Sequence, residues 1–219
     1  GNLQLTKDGG KTWTNLIANV PGLPKGTMVY HIEASVFNKA NAYAVFTGYQ
    51  TGDQTPYVYK TTDFGATWKS LVTPEIYGFA RNIQEDYVNE NLLFLGTEFG
   101  LYISLNGGQN WYKFTNNMPS ANVHFIELHK KTNDLVIATH GRGIVIIDDI
   151  SVLRQLTPEN MDKELYFFKT KASVIPEDNG FGGASTETQF IGENPSTSAK
   201  IIYYLKKRHV LGKMSLEIQ

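Results

Sequence analysis

Thr61-Thr-Asp63-Phe-Gly65-Ala-Thr67-Trp68 decides the fold, because the chain writes it three times. The spacing recurs upstream as Thr6-Lys-Asp8-Gly-Gly10-Lys-Thr12-Trp13 and downstream as Ser104-Leu-Asn106-Gly-Gly108-Gln-Asn110-Trp111. Two copies fit Ser/Thr-x-Asp-x-Gly-x-Thr-Trp in full; the third has Asn106 for Asp and Asn110 for Thr. The residue types describe a turn. An Asp carboxylate accepts hydrogen bonds from backbone N–H groups of its own turn. Gly permits a positive φ, and a Trp opening the next strand buries a large apolar face. Each copy is predicted to close a hairpin, so Asp8, Trp13, Asp63, Trp68, Asn106 and Trp111 are assigned to structure. A catalytic or metal-binding role for these Asp residues is disfavoured, because each copy supplies a single carboxylate.

Outward from each turn lie short β-rich runs. They fall at 29–37, 42–47 and 57–61, then at 82–87, 92–97 and 101–104, then at 123–128, 135–139 and 144–147. Each repeat of about 40–50 residues reads as strands A, B and C, the turn, and strand D, which is the signature of a β-propeller. The predicted fold is all-β, with about three and a half four-stranded blades. The opening residues supply only strands C and D of a first blade. The last repeat has no turn motif, and its strand C runs through Asp148-Asp149 into a predicted short helix at 151–156. A ring takes roughly four to eight blades, so the remaining blades are expected from the same protein upstream or from another chain.

The expected organisation is propeller blades at 1–157, a connecting strand and flexible linker at 158–197, and the first hairpin of a truncated immunoglobulin-like β-sandwich at 198–219. The stretch 176–192 is rich in Gly, Ser, Thr and Asn, as linkers are. Within it, Asn179-Gly-Phe-Gly-Gly183 lacks the Lys of a phosphate loop. Alternation resumes at Ile201-Ile-Tyr-Tyr-Leu205, and a polar turn leads to 213–218, a hairpin pattern.

Bulk properties narrow the function. Acidic and basic residues balance to a net charge of −1 over 219 residues, so a nucleic-acid partner is not expected. No apolar run reaches the ~18 residues of a membrane helix. Cysteine is absent, and the five histidines have no His-x-x-x-His spacing, so no metal site and no cofactor are expected.

Antiparallel strands sort the loops. The repeat turns join C to D on one face; the B–C and D–A connections share the other, where loops on a fixed frame are free to carry function. The B–C loops are 48–56, 98–100 and 140–143, with D–A connections at 74–81 and 118–124. Tyr49 and Tyr57 are candidates to stack on a sugar ring or peptide. Asp53 and Glu98 are the candidate catalytic carboxylates, and His140 and Arg142 are candidate ligand contacts, Arg142 through a bidentate fork. Read without a ligand, 48–56 is a surface loop, Glu98 a solvated turn residue, and His140 and Arg142 neighbours of Asp148 or Asp149. Asp148-Asp149 reads as a helix cap rather than a metal pair.

The three turns resemble the Asp-box, or BNR repeat, of sialidases and sortilin-type receptors. Ala138-Thr-His140-Gly-Arg142-Gly-Ile144, Ile147-Asp-Asp149-Ile-Ser151-Val-Leu-Arg154-Gln and Gly192-Glu-Asn-Pro195 resemble large secreted sortilin-like BNR proteins of Bacteroidetes, loosely labelled glycosyl hydrolases. The resemblance implies an extracytoplasmic protein, secreted, periplasmic or attached to the outer membrane. It is read first as a non-catalytic module that binds protein or glycan, within an outer-membrane or secretion assembly in one version. The alternative is a glycoside hydrolase using a carboxylate pair on the face opposite the boxes. A sialidase fits poorly, since that family holds its substrate with three arginines and the blades here offer Arg81 and Arg142.

Overall fold

The computed structural model describes residues 1–173 and 198–217. The chain forms two compact units, Gly1–Arg154 and Gln155–Gln219.

The first unit is a partial β-propeller of four antiparallel sheets. Blade I holds β1 (Gln4–Leu5) and β2 (Thr14–Asn15). Blade II is the meander β3 (Met28–Ala34), β4 (Ala42–Gly48), β5 (Asp53–Thr61) and β6 (Lys69–Ser70). Blade III repeats it with β7 (Ala80–Glu85), β8 (Leu93–Thr97), β9 (Gly100–Ser104) and β10 (Tyr112–Phe114). Blade IV has three strands, β11 (Asn122–His129), β12 (Asp134–His140) and β13 (Ile144–Ile147), followed by a 3-10 helix at Ile150–Gln155.

A period of two divides the central strands of blades II and III between two cores. On β4, Tyr43 and Val45 face blade III while Ala44 and Phe46 face blade I. On β8, Leu93 and Leu95 face blade II while Phe94 faces blade IV. Both faces are buried, which is why Leu92-Leu-Phe-Leu95 reads as unbroken apolar sequence. Blades II and III are pinned by Tyr43, whose hydroxyl donates to Glu85 at 2.8 Å. Blades III and IV are pinned by Arg154, whose guanidinium grips fully buried Asp86 at 2.8 Å.

The repeat turns close as their residue types require. Thr61 Oγ1 accepts from Gly65 N at 2.8 Å, and Asp63 accepts from Thr67 N at 2.9 Å and Thr67 Oγ1 at 2.6 Å. Gly65 sits at φ +79°, where a Cβ would strike Leu16. In the first copy, hydrogen bonds from Thr12 lead in holding Asp8 down to about 2. The third copy keeps this geometry and reverses only the side-chain bond: Asn110 N donates to Asn106 Oδ1 at 2.9 Å, while Asn106 Nδ2 donates to Asn110 Oδ1 at 2.9 Å.

The turn tryptophans differ from expectation at one position. Trp68 and Trp111 are 7% and 2% exposed, each packed on the blade before it, whereas Trp13 is 59% exposed. The burial expected of the turn tryptophans is seen at Trp68 and Trp111 and not at Trp13 among the described residues. The loop expected at 48–56 is also shorter. A 3-10 turn at Tyr49–Thr51 and Gly52 at φ +77° complete it, and Asp53 already pairs with Gly48 in the sheet.

In the second unit, Thr157 caps a short helix, α1 (Pro158–Asp162), by accepting from Asn160 N. Strand β14 (Leu165–Phe167) pairs antiparallel with β15 (Tyr203–Leu205). The expected hairpin partner of 201–205 is thus replaced: the described residues 213–217 form no strand. The linker stretch 176–192, the 179–183 segment and Gly192-Glu-Asn-Pro195 lie outside the described residues.

Candidate functional site

Three B–C connections meet on the face opposite the repeat turns. Tyr49 and Gln50, Glu98 and Phe99, and His140, Gly141 and Arg142 line one cleft of about 730 Å³. The floor comes from the entries of the first strands of blades II to IV, through Met28, Arg81 and His124. Four predicted residues are therefore brought together: Tyr49, Glu98, His140 and Arg142.

Asp53 and Tyr57 are not among the cleft residues. The Asp53 carboxylate accepts from Thr55 N at 2.9 Å and from Tyr57 Oη at 2.8 Å. Hydrogen bonds from Thr55, then Tyr57, hold Asp53 below the usual carboxylate range. Tyr57 packs on the core between blades I and II. The two residues engage each other, and Glu98 is the cleft's single carboxylate among the described residues. His140 and Arg142 make no ion pair with Asp148 or Asp149 among those residues. Asp149 instead accepts from Ser151 N at 3.3 Å and donates its own N–H to Asp134.

The floor carries residues that the loop reading passes over. Each first strand breaks register at the same place, between Val29 and His31, between Ala80 and Asn82, and between Val123 and Phe125. A bulge re-aims the extra side chain; here the extra residues are Tyr30, Arg81 and His124. They form one cluster. The Arg81 guanidinium lies 4.8 Å from the Tyr30 ring centre, and Tyr30 Oη is 2.8 Å from His124 Nε2. Arg81 also lies over Phe79 at 4.4 Å and Tyr49 at 4.9 Å.

The next positions, His31 and Phe125, touch edge to face at 6.1 Å. Two residues further along stand Glu33, Gln84 and Glu127, a carboxyl on two of the strands and an amide on the third. A sequence signal for the bulges exists. Small apolar residues and isoleucines stand three apart, not two, in Val29…Ile32, Ala80…Ile83 and Val123…Ile126.

Several buried polar atoms here have no partner: Arg81 Nε, Glu98 Oε2, Asn122 Oδ1 and both amide atoms of Asn82. Unmet buried groups cost roughly 1–3 kcal/mol each, and three of the four residues line the cleft. Burial first, then the charges of Arg81 and His140, lower the His124 pKa. Among the described residues no group of three or more His, Asp or Glu is arranged to hold a metal ion.

No family model and no curated protein matches the chain. Solved structures do resemble it. One is YCF48 from Cyanidioschyzon merolae, with 16% identity and a TM-score of 0.48 over 69% of this chain and 47% of that one. Another, YCF48 bound to D1 peptide, has 18% identity and a TM-score of 0.46 over 67% and 44%. A GH74 enzyme of Niastella koreensis has 24% identity and a TM-score of 0.46 over 55% and 21%. The chain spans less than half the length of each, and likenesses of this degree concern the fold alone.

Proposed function

We propose that this chain is part of an extracytoplasmic β-propeller that binds a protein or glycan ligand across the face opposite its repeat turns. One observation carries the reading: three loops from three blades, distant in sequence, converge as Tyr49, Glu98 and His140–Arg142 on one cleft. Exposed Tyr49 offers a stacking surface, and Arg142 a fork for acidic groups. The secreted, sortilin-like setting rests on the sequence resemblance, as do completion of the ring by further blades and attachment to an outer-membrane or secretion assembly.

Glycoside hydrolysis is the second reading, and Glu98 Oε2, buried and unpartnered, is the observation in its favour. That chemistry takes two carboxylates. With Asp53 engaged by Thr55 and Tyr57, the second must come from outside the described cleft residues, so binding is the better-supported function. The test is to probe peptide and glycan arrays with the intact protein. Tyr49→Ala and Arg142→Ala are expected to weaken the captured ligand by about tenfold each, and Lys11→Ala, on an exposed repeat turn, to leave it unchanged. Binding that survives both cleft substitutions overturns the reading.

A further inference from the structure

We infer that Arg81 anchors a ligand carboxylate in this cleft, and that His124 beside it makes the binding proton-dependent. The inference rests on the cleft being the ligand face and adds the class of ligand.

Arg81 is a buried cation without a counter-charge. It is 8% exposed, and no carboxylate lies within ion-pair distance of it among the described residues. Its Nε is buried with no hydrogen-bond partner. A buried charge ordinarily demands a partner. Here Phe79, Tyr30 and Tyr49 supply ring faces at 4.4, 4.8 and 4.9 Å. Ring faces stabilise a cation without using its N–H groups, so the planar fork is held in place with its donors free. That is the geometry a carboxylate matches. Glu98 Oε2 and Asn122 Oδ1 are unmet acceptors in the same cleft. They call for an N–H or O–H beside the carboxylate.

His124 faces Tyr30 from β3, Arg81 from β7, Glu98 from the β8–β9 turn, and His140 and Arg142 from the β12–β13 turn. Burial first, then the charges of Arg81 and His140, holds its imidazole below its ordinary value. A bound carboxylate adds an attraction that offsets those charges and raises the ring's proton affinity. Binding then takes up a proton. Affinity rises as pH falls through the value in the complex and levels off below the value of the free site. The imidazolium donates from both nitrogens, so its contact with the Tyr30 oxygen survives protonation.

Hippurate carries an ionised carboxylate next to an amide N–H, and hippuramide is its uncharged counterpart. Calorimetry on the intact protein is expected to show hippurate binding at least about tenfold tighter than hippuramide. Its affinity should rise about tenfold toward low pH for each unit by which the ligand raises His124. Arg81→Gln is expected to erase the preference for hippurate, and His124→Gln to flatten the pH profile. Should Arg81→Gln fail to fold, NMR titration of the His124 ring in the unsubstituted protein, with and without hippurate, gives the same answer through an upward shift.

Equal binding of the two compounds, lost with Tyr49→Ala, overturns the carboxylate anchor while leaving the cleft as the ligand face. A pH slope retained in His124→Gln overturns the proton dependence. Binding indifferent to both Arg81 and Tyr49 overturns the anchor and the cleft together.

Discussion

Glu33 is a carboxyl whose neighbours oppose its charge. Burial first, and then the charge of Glu85, push it up to about 7 from an ordinary 4.5. Gln84 Nε2 donates to it at 2.5 Å, while Glu85 is itself engaged by Val36 N at 3.1 Å and Tyr43 Oη at 2.8 Å. A raised value means the folded chain holds a proton that the unfolded chain releases. The stability that goes with that proton is fully present below pH 4.5 and is lost as pH rises through about 7. Glu33→Gln keeps an acceptor for Gln84 and removes the titration. Its melting temperature is expected to exceed the parent's by a margin that widens from acid to pH 8, as followed by thermal melts in matched buffers. A margin independent of pH would remove Glu33 from this role.

The elements show what is local and what is not. A hairpin turn is local, so 61–68 was legible in the sequence, including the Asp63 carboxylate as acceptor from a backbone N–H of its own turn; the part of the Thr61 hydroxyl, which accepts from Gly65 N, was not. Thr61→Val keeps shape but strips the buried acceptor from Gly65 N, and is expected to cost about 1–3 kcal/mol in urea unfolding. An unchanged midpoint would mean that the turn is held by other contacts. Strand interiors such as Leu92-Leu-Phe-Leu95 were equally legible, because burial on both faces leaves no polar alternation. Other features were not local. Trp13 obeys the pattern of Trp68 but is not buried among the described residues. Asp53 sits among Gly, Thr and Pro residues that read as loop, yet it joins β5 because it pairs with Gly48. The cleft's loops were legible from strand parity, which fixes the end of a blade where each connection lies. Its floor was not, because a bulge is a slip of one strand against another.

At the scale of the molecule, three inter-blade cores hold the first unit together, and β4 and β8 each belong to two of them. The tryptophans report on that arrangement. In the Trp13→Phe protein, iodide is expected to leave the fluorescence of Trp68 and Trp111, 7% and 2% exposed, largely intact. Quenching that persists in the Trp13→Phe protein would mean that blades II and III are not packed on their predecessors. The bulges have a different reach. Blades II, III and IV carry the same bulge at the same place, and the strand pairing leaves its occupant unassigned: Tyr30, Arg81 and His124 share one backbone position and no chemistry. Duplication of a blade therefore hands over a vacant specificity position along with the scaffold.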